Sequence, residues 1–167
     1  MTAAGWSENP AARLETAFRA IATGRMRGLP FVNEALEVEA VGFAHWDGHW
    51  LGCLVTPWFM NLVLLPRDVA AWQSVPAGDK VAYRFPAGVY DFVAGREAAI
   101  GEYQACSLFS PMFEFADHDA ARLTAQAALL ALFDAANNDM AYAPPAAPAR
   151  PPLSKRAFLG GEREPRG

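Results

Sequence analysis

The sequence is poor in the residues that build disulfide frameworks, metal sites and catalytic centres. Its 167 residues include two cysteines, Cys53 and Cys106, and three histidines. The cysteines form no C-x-x-C pair, which fits a reducing compartment and no disulfide framework. No zinc-protease motif, glycine-rich phosphate loop or nucleophile elbow occurs. The sequence therefore predicts a protein of the cytoplasm that is not an enzyme and has no catalytic residues, bound metal or cofactor.

Positive charge and long apolar runs are also scarce. The formal net charge is -4 and the pI is near 5.3, so no nucleic-acid partner is expected. Even the apolar stretch 58–66 is broken by Asn61 and ended by proline, whereas a membrane-spanning helix needs ~18 apolar residues. The first residues contain no basic and apolar secretory signal. We therefore expect no direct insertion into a membrane.

Two segments have the apolar spacing of helices. The first covers about residues 10–23, begins after Asn9 as a capping residue and ends at Gly24. The second runs from Asp117, a candidate cap, to about residue 136. The side chains expected to face the core recur at helical spacing; they are Leu14, Phe18 and Ile21 in the first helix and Leu123, Ala127, Leu130 and Phe133 in the second.

The residues between the two helices have the patterns of β-strands. Asp47-Gly48 favours a type I′ turn and predicts a hairpin between the apolar segments on either side. Candidate strands are residues 36–40, 41–43, 50–55, 62–65, 80–85, 89–93 and 100–108. The order indicates an α+β fold over residues 1–143: one domain with an antiparallel sheet of about five or six strands, packed with N- and C-terminal helices.

Residues 144–167 differ in composition from the rest of the chain. Prolines at positions 144, 145, 148, 151 and 152 favour an extended, disordered tail. The tail has five basic and two acidic residues, which leaves the remainder acidic. Its segment Ser154-Lys155-Arg156-Ala157-Phe158-Leu159 resembles a tethered recognition peptide, although such tails are often only solvated and disordered.

The positions of His45 and His49 on either side of Asp47 raise the question of a metal site. If Asp47-Gly48 forms a two-residue turn, His45 pairs with Trp50 and His49 with Trp46. Consecutive cross-strand pairs point to opposite faces, so the two imidazoles would diverge. A longer loop between the two strands would remove this argument against a metal site. His118 is expected to be a solvated surface histidine.

The cysteines allow two interpretations. Both stand among apolar residues, which favours inert core thiols with raised pKa values. Alternatively, Cys53 and Cys106 meet across the sheet as a thiol pair or as ligands of a transient metal centre. That alternative predicts a thiol-dependent redox or iron-sulfur transfer factor.

Two segments of unusual composition follow the cysteines. They are T-P-W-F-M-N-L at residues 56–62 and S-L-F-S-P-M-F-E-F at residues 107–115. Each concentrates aromatic residues, methionine and proline where strand pairing is interrupted. Such residues either close the ends of the sheet core or form an exposed apolar binding patch.

These segments resemble signature segments of the HybE/HupJ/HoxT family of NiFe-hydrogenase assembly chaperones. The resemblance extends to Asn9-Pro10, the R-M-R-G-L-P-F segment at residues 25–31, V-G-F at 41–43, G-E-Y at 101–103 and the tail motif S-K-R with Phe158 and Leu159. It covers about residues 9–135 and the tail.

The resemblance implies a maturation chaperone that binds an immature subunit precursor of NiFe-hydrogenase, large or small. Such a chaperone holds its client in the cytoplasm until cofactors are inserted, before assembly and twin-arginine export, and other maturation factors are further candidate partners. No catalytic residues are transferred from the family. The predicted partner-binding residues are those of the two segments and the tail: Trp58, Phe59, Met60, Asn61, Phe109, Ser110, Pro111, Met112, Lys155, Arg156, Phe158 and Leu159.

Overall fold

The structure, a computed structural model, describes residues 5–141. Its elements are α1 (Ala11–Thr23), β1 (Glu39–Trp46), β2 (His49–Val55), β3 (Met60–Pro66), a 3-10 turn (Val69–Ala71), β4 (Lys80–Phe85), β5 (Gly88–Glu97), β6 (Gly101–Phe109), α2 (His118–Leu132) and α3 (Ala136–Ala141). The strands form one sheet in the order β1-β2-β3-β6-β5-β4. The α+β fold with a six-stranded antiparallel sheet is therefore confirmed. The predicted tail lies outside the described residues.

The described part of the chain divides into two compact units, residues up to 81 with 91–126 and residues 82–90 with those from 127 onward. In the second unit, the ring of Phe85 contacts those of Tyr90 and Phe133 at centroid distances of 5.7 and 5.9 Å. The Ala87 N–H donates to the Leu132 carbonyl at 3.0 Å. All residues of the candidate site described below belong to the first unit. The assignment of residues 1–143 to a single domain stays a prediction.

The β1–β2 hairpin forms as its turn residues predict. Asp47 and Gly48 have φ angles of 50° and 81°, the positive values that a type I′ turn requires. Trp46 pairs with His49, and the next pair joins His45 to Trp50. The predicted register is therefore confirmed.

A bulge in β1 brings the ring of Phe43 against β2. The register shifts between Val41 and Ala44, and Gly42 within this bulge has φ of 67°. A Cβ at position 52 would overlap the Phe43 ring, so only glycine allows this close approach. Phe43 thereby joins the core between α1 and the sheet, which also contains Leu14, Phe18, Val38, Trp50, Leu54, Val63, Leu65 and Ile100.

Helix α1 also covers the outer edge of β1. The Ala40 N–H donates to the Glu15 carboxylate at 3.0 Å, and the Asn9 side-chain amide donates to the Phe43 carbonyl at 3.0 Å. Just before the strand, the Arg19 guanidinium donates to the Val38 carbonyl at 3.4 Å. Backbone groups that have no partner strand on this side are thus bonded to side chains.

The predicted strand at residues 36–40 is wrong for most of its length. Leu36 and Val38 are buried as the alternating pattern requires, but β1 begins at Glu39. Burial at every second position also occurs in irregular extended segments, so the pattern alone could not locate the start of the ladder.

The second predicted helix is confirmed as α2, and Asp117 Oδ1 accepts from the Ala120 N–H at 2.8 Å. The side chains of α2 that were predicted to face the core, however, do not. Leu123 is 64% exposed and Leu130 is 76% exposed. The buried positions on the first part of the helix are Ala121 and Ala125. Small side chains permit close packing, so the alanine face is the one that turns inward. None of the helices within residues 5–141 has the length and apolar character that crossing a membrane requires.

Candidate functional site

The T-P-W-F segment forms the tight turn between β2 and β3. The Thr56 N–H donates to the Phe59 carbonyl at 2.9 Å, and Pro57 occupies the second position of the turn. The buried Thr56 hydroxyl accepts from the N–H groups of Trp58 and Phe59 at 3.2 and 3.0 Å. This turn fixes both aromatic side chains at one end of the sheet, where the Phe59 ring contacts that of Phe18 on α1 at 5.9 Å.

Asn33 connects this turn to two other loops. Its backbone N–H donates to the Pro57 carbonyl at 2.8 Å. Its side-chain amide donates to the carbonyls of Met112 and Phe115 at 3.0 and 2.9 Å. Because one residue bonds both segments that the sequence singled out, the loops at residues 29–33, 56–59 and 109–115 meet at the same end of the sheet. The pairing of Met60 with Phe109 brings β3 and β6 side by side there, next to a bulge between Met60 and Asn61.

This end of the sheet exposes large apolar side chains. Phe31 is 44% exposed and Phe113 is 56% exposed, while Trp58 and Phe109 are half-buried. We call five exposed or half-buried apolar side chains of these three loops the apolar loop cluster: Leu29, Phe31, Trp58, Phe109 and Phe113. Apolar side chains gathered on one surface are typical of a site that binds another polypeptide.

A cleft of about 270 Å³ opens on the α1 side of the sheet, next to the T-P-W-F turn. Its walls are mainly apolar, and a Cβ at Gly95 would lie 2.6 Å from the Tyr103 ring, so glycine at this position lets the ring lie against β5. The lining residues come from α1, the T-P-W-F turn and four strands: Leu14, Phe18, Leu54, Phe59, Asn61, Val63, Val93, Ala94, Gly95, Tyr103, Ala105 and Ser107.

The structure sorts the predicted partner-binding residues into three groups. Trp58, Phe59, Asn61 and Phe109 are half-buried, and Ser110 and Pro111, joined by a cis peptide bond, are exposed. Met60 and Met112 are fully buried, so they support the loops from within the core. The tail residues Lys155, Arg156, Phe158 and Leu159 lie outside the described residues.

Sequence reasoning missed Phe31 and Asn33 as site residues. Phe31 belongs to a segment that carried the family resemblance, and a phenylalanine directly after a proline is a signal that the sequence itself contains. Asn33 has no comparable signal, because its partners Pro57, Met112 and Phe115 are far away in the sequence.

The cysteines do not form a thiol pair. Cys53 pairs with Leu62, which in turn pairs with Cys106, so the strand of Leu62 separates the two cysteines on one face. Two strand spacings are on the order of 10 Å, whereas disulfide-linked Cα atoms lie within about 7 Å. Burial raises the pKa of the Cys53 thiol, and the neighbouring Cys106 contributes to the increase. The burial and the raised pKa identify Cys53 as a core thiol.

The histidines also have structural surroundings. His45 contacts the Trp50 ring at 4.2 Å, whereas His49 packs against Trp72 on the other face at 5.6 Å, so the two imidazoles diverge as predicted. The prediction of a solvated His118 is wrong. Its Nδ1 accepts from the Glu37 N–H at 3.1 Å, and its Nε2 lies 2.8 Å from the Glu39 carboxylate.

Glu102 anchors the segment after the 3-10 turn. Its buried carboxylate accepts hydrogen bonds from Trp72 Nε1 at 3.0 Å, Ser74 Oγ at 2.7 Å and the Arg96 guanidinium at 3.1 Å. Burial would raise the pKa of Glu102, but these hydrogen bonds and the charge of Arg96 outweigh it and hold the pKa below its ordinary value. The ionised form therefore stabilises the fold.

The lowered pKa predicts a pH dependence of stability. The pKa of Glu102 is lower in the folded protein than its ordinary value of 4.5. The contribution of its carboxylate to stability is therefore complete above pH 4.5 and is lost as the pH falls through the folded pKa. Glu102→Gln should lower the free energy of unfolding at pH 7 by about 1–2 kcal/mol and reduce its decline in acid. Urea unfolding at several pH values measures both effects, with Glu34→Gln as the exposed control. An unchanged acid decline in the Glu102 variant would contradict the assignment.

Comparison with known proteins identifies the family. Residues 9–161 match the family described as NiFe-hydrogenase assembly chaperone HybE. The chain belongs to this family. The HybE family therefore supplies its general role: it is a hydrogenase assembly chaperone, as the resemblance of the sequence segments implied.

Individual relatives of the HybE family agree with this assignment. The hydrogenase expression/formation protein HupJ of Bradyrhizobium diazoefficiens is 47% identical over 148 residues, which cover 89% of this chain and 85% of the relative. Protein HoxT of Cupriavidus necator is 41% identical over 169 residues, covering 92% and 89% respectively. The solution structure of HybE from Escherichia coli is 26% identical with a TM-score of 0.65, and the match covers 99% of this chain and 98% of that one.

Proposed function

We propose that this chaperone binds an immature NiFe-hydrogenase subunit precursor, large or small, and holds it in the cytoplasm until cofactors have been inserted, before assembly and twin-arginine export. The observation that carries this proposal is the apolar loop cluster. Exposed Phe31 and Phe113 and half-buried Trp58 lie on three loops that Asn33 holds together at one end of the sheet. A preformed apolar surface can cover apolar parts of a subunit that is not yet fully folded.

Holding a client until a later step requires reversible binding. A surface built from a few aromatic side chains is compatible with an interface at the small end of the range for protein complexes, about 1,200 Å² or less. Trp58 is the expected hot spot because tryptophan is enriched among hot spots and its ring packs on that of Phe59 at 5.6 Å. The role of Lys155, Arg156, Phe158 and Leu159 stays a prediction.

The test of this proposal is capture of the client by variants of the exposed side chains. The double variant Phe31→Ser/Phe113→Ser should lose at least about tenfold in retained hydrogenase precursor, because two aromatic contacts are removed. Affinity purification of the tagged chaperone from its own host, with quantification of each hydrogenase subunit, measures the retention. The fold should be unaffected, since both side chains are exposed in the free protein.

Val69→Ser is the matched control. Val69 is 42% exposed but follows β3 at the opposite end of the sheet, where the Asp68 N–H donates to the Gly48 carbonyl at 2.8 Å. Full retention by the double variant, with normal unfolding behaviour, would refute the proposed surface. Recovery of iron together with a thiol partner, both lost on replacing Cys53 and Cys106, would instead support the redox or iron-sulfur transfer alternative.

A further inference from the structure

An acidic border lies along the Phe113 side of the apolar loop cluster. It consists of four exposed carboxylates from two loop segments: Glu34, Glu37, Glu114 and Asp117. In the described part of the chain, none of the four forms an ion pair. The basic residues of these loops, Arg25 and Arg27, stand before Leu29, and Arg25 pairs with Glu97 at 2.7 Å. The surface beside Phe113 therefore carries a net negative charge.

Hydrogen bonds hold the carboxylates of the acidic border on neighbouring segments. The side chain of Asn33 donates to two carbonyls of the second segment at 3.0 and 2.9 Å. Further along, the Glu37 N–H donates to His118 Nδ1 at 3.1 Å. Residues 33–37 therefore run beside residues 112–118. Carboxylates brought together in this way repel one another, and a cationic partner relieves the repulsion.

The C-terminal segment of the same chain has the complementary composition. Lys155 and Arg156 stand directly before Ala157, Phe158 and Leu159, so two cations are followed by two large apolar side chains. Residues 144–167 contain five basic and two acidic residues, a net charge of +3, so the total of -4 leaves -7 on the rest of the chain. A surface that is acidic and aromatic matches a segment that is basic and apolar.

The tail is long enough to reach this surface. Twelve residues, 142–153, separate the last described residue from Ser154. At ~3.1 Å per residue, a proline-rich chain of this length spans up to about 37 Å, whereas a folded domain of about 140 residues has a radius of gyration of about 14 Å. A tethered segment also acts at an effective concentration in the millimolar range, so weak binding is sufficient.

We propose that residues 154–159 bind the apolar loop cluster of their own chain when no client is present. Lys155 and Arg156 pair with carboxylates of the acidic border, and Phe158 and Leu159 cover the exposed aromatic rings of the cluster. The contact shields an apolar surface that would otherwise promote self-association, and a client displaces it. The displacement rests on the proposed function, whereas the contact itself is a property of the free protein.

The test uses the full-length protein without a client and a fluorescein-labelled peptide with the sequence of residues 150–162. A tail that occupies the surface about nine-tenths of the time reduces the apparent affinity for this competing peptide about tenfold. The tail variant Phe158→Ser/Leu159→Ser removes the competition, so fluorescence anisotropy should show about tenfold tighter binding of the peptide. Equal affinity for the two proteins would overturn the inference.

Charge reversal tests the role of the acidic border. In the tail variant, the further changes Glu37→Lys/Glu114→Lys should weaken peptide binding at least about tenfold, because two attractions become repulsions. A peptide with Lys155→Glu/Arg156→Glu should recover most of this loss. Peptide binding that is unchanged by reversing both carboxylates would contradict the proposed pairing.

Glu8→Lys is the matched control for charge reversal. Glu8 is exposed and lies near Trp6, whose N–H donates to the Pro66 carbonyl at 2.8 Å at the opposite end of β3. If the unmodified protein is a dimer that the tail variant converts into a monomer, the tail occupies a second copy and the inference is wrong. Failure of the peptide to bind would also overturn it and leave the proposed function standing. Full client retention by the double variant of the exposed phenylalanines would refute the client surface while the tail contact stood.

Discussion

Replacing Gly52 with leucine is expected to lower the free energy of unfolding by about 3 kcal/mol or more. The ring of Phe43, which belongs to the core between α1 and the sheet, occupies the space into which a side chain at position 52 would project. Strand β2 cannot withdraw from Phe43, because it is paired along its length with β3. Urea unfolding followed by circular dichroism measures the loss, and Ala44→Leu, at an exposed position of the same hairpin, is the control.

A double variant tests whether overlap with Phe43 is the cause. Phe43→Ala alone should cost about 3–5 kcal/mol, because it leaves a cavity. In Gly52→Leu/Phe43→Ala the leucine fills part of that cavity, so the combined loss should be well below the sum of the single losses. Strict additivity of the two losses would contradict the proposed overlap.

Replacing Asn33 with leucine is expected to be the most damaging change at the candidate site. The variant loses the hydrogen bonds from its side chain to the carbonyls of Met112 and Phe115, and the one that its Oδ1 accepts from the Ala35 N–H. At about 1 kcal/mol for each bond, the free energy of unfolding should fall by about 3 kcal/mol. Client retention should fall as well, because the loops of the apolar loop cluster are no longer held together.

Hydrogen exchange distinguishes this local effect from general destabilisation. Amides of residues 109–115 should exchange faster in Asn33→Leu, whereas those of the β1–β2 hairpin should change only as far as global stability does. Asn33→Asp keeps the acceptor for the Ala35 N–H but places a carboxylate against two carbonyl oxygens, so it should be no more stable than the leucine variant at neutral pH. Wild-type stability of Asn33→Asp would show that the donated bonds do not hold the loops. Glu34→Ala, at the exposed neighbouring position, is the control.

Local sequence patterns were sufficient for the elements whose structure is determined by nearby residues. Asp47-Gly48 requires positive φ angles and so determined both the hairpin and its register. Helix α1 begins at Ala11 and ends at Thr23, within one residue of its prediction. In both cases the deciding interactions join residues close in the sequence.

The face of α2 could not be predicted in the same way. Leucines at positions 123 and 130 keep helical spacing, but so do the alanines at 121 and 125, and it is the alanines that are buried. Hydrophobicity favours the leucines, whereas the available space favours the alanines. The space depends on the distance between the packed elements, which a single sequence does not contain.

The candidate site could be predicted only in part from the sequence. Its aromatic composition identified the T-P-W-F and S-L-F-S-P-M segments, and the structure shows that they meet at one end of the sheet. The cleft, which the cross-strand partners Asn61 and Ser107 line, depends on the register of β3 against β6, which includes a bulge next to Met60. A shift of one residue would turn Asn61 to the other face, so no pattern within β3 alone could reveal the cleft.

The side chains of Asn9 and of α1 along the edge of β1 have a consequence for the client binding proposed above. An open strand edge would let an unfolded client add a strand of its own and propagate into an aggregate. Asn9 and Glu15 already bond the outward backbone groups of Phe43 and Ala40, so a client has no template to extend at these positions. Adhesion through side chains can be reversed, whereas templated growth of a sheet cannot readily be undone. Asn9 and Glu15 thus protect part of the β1 edge of the sheet from strand addition.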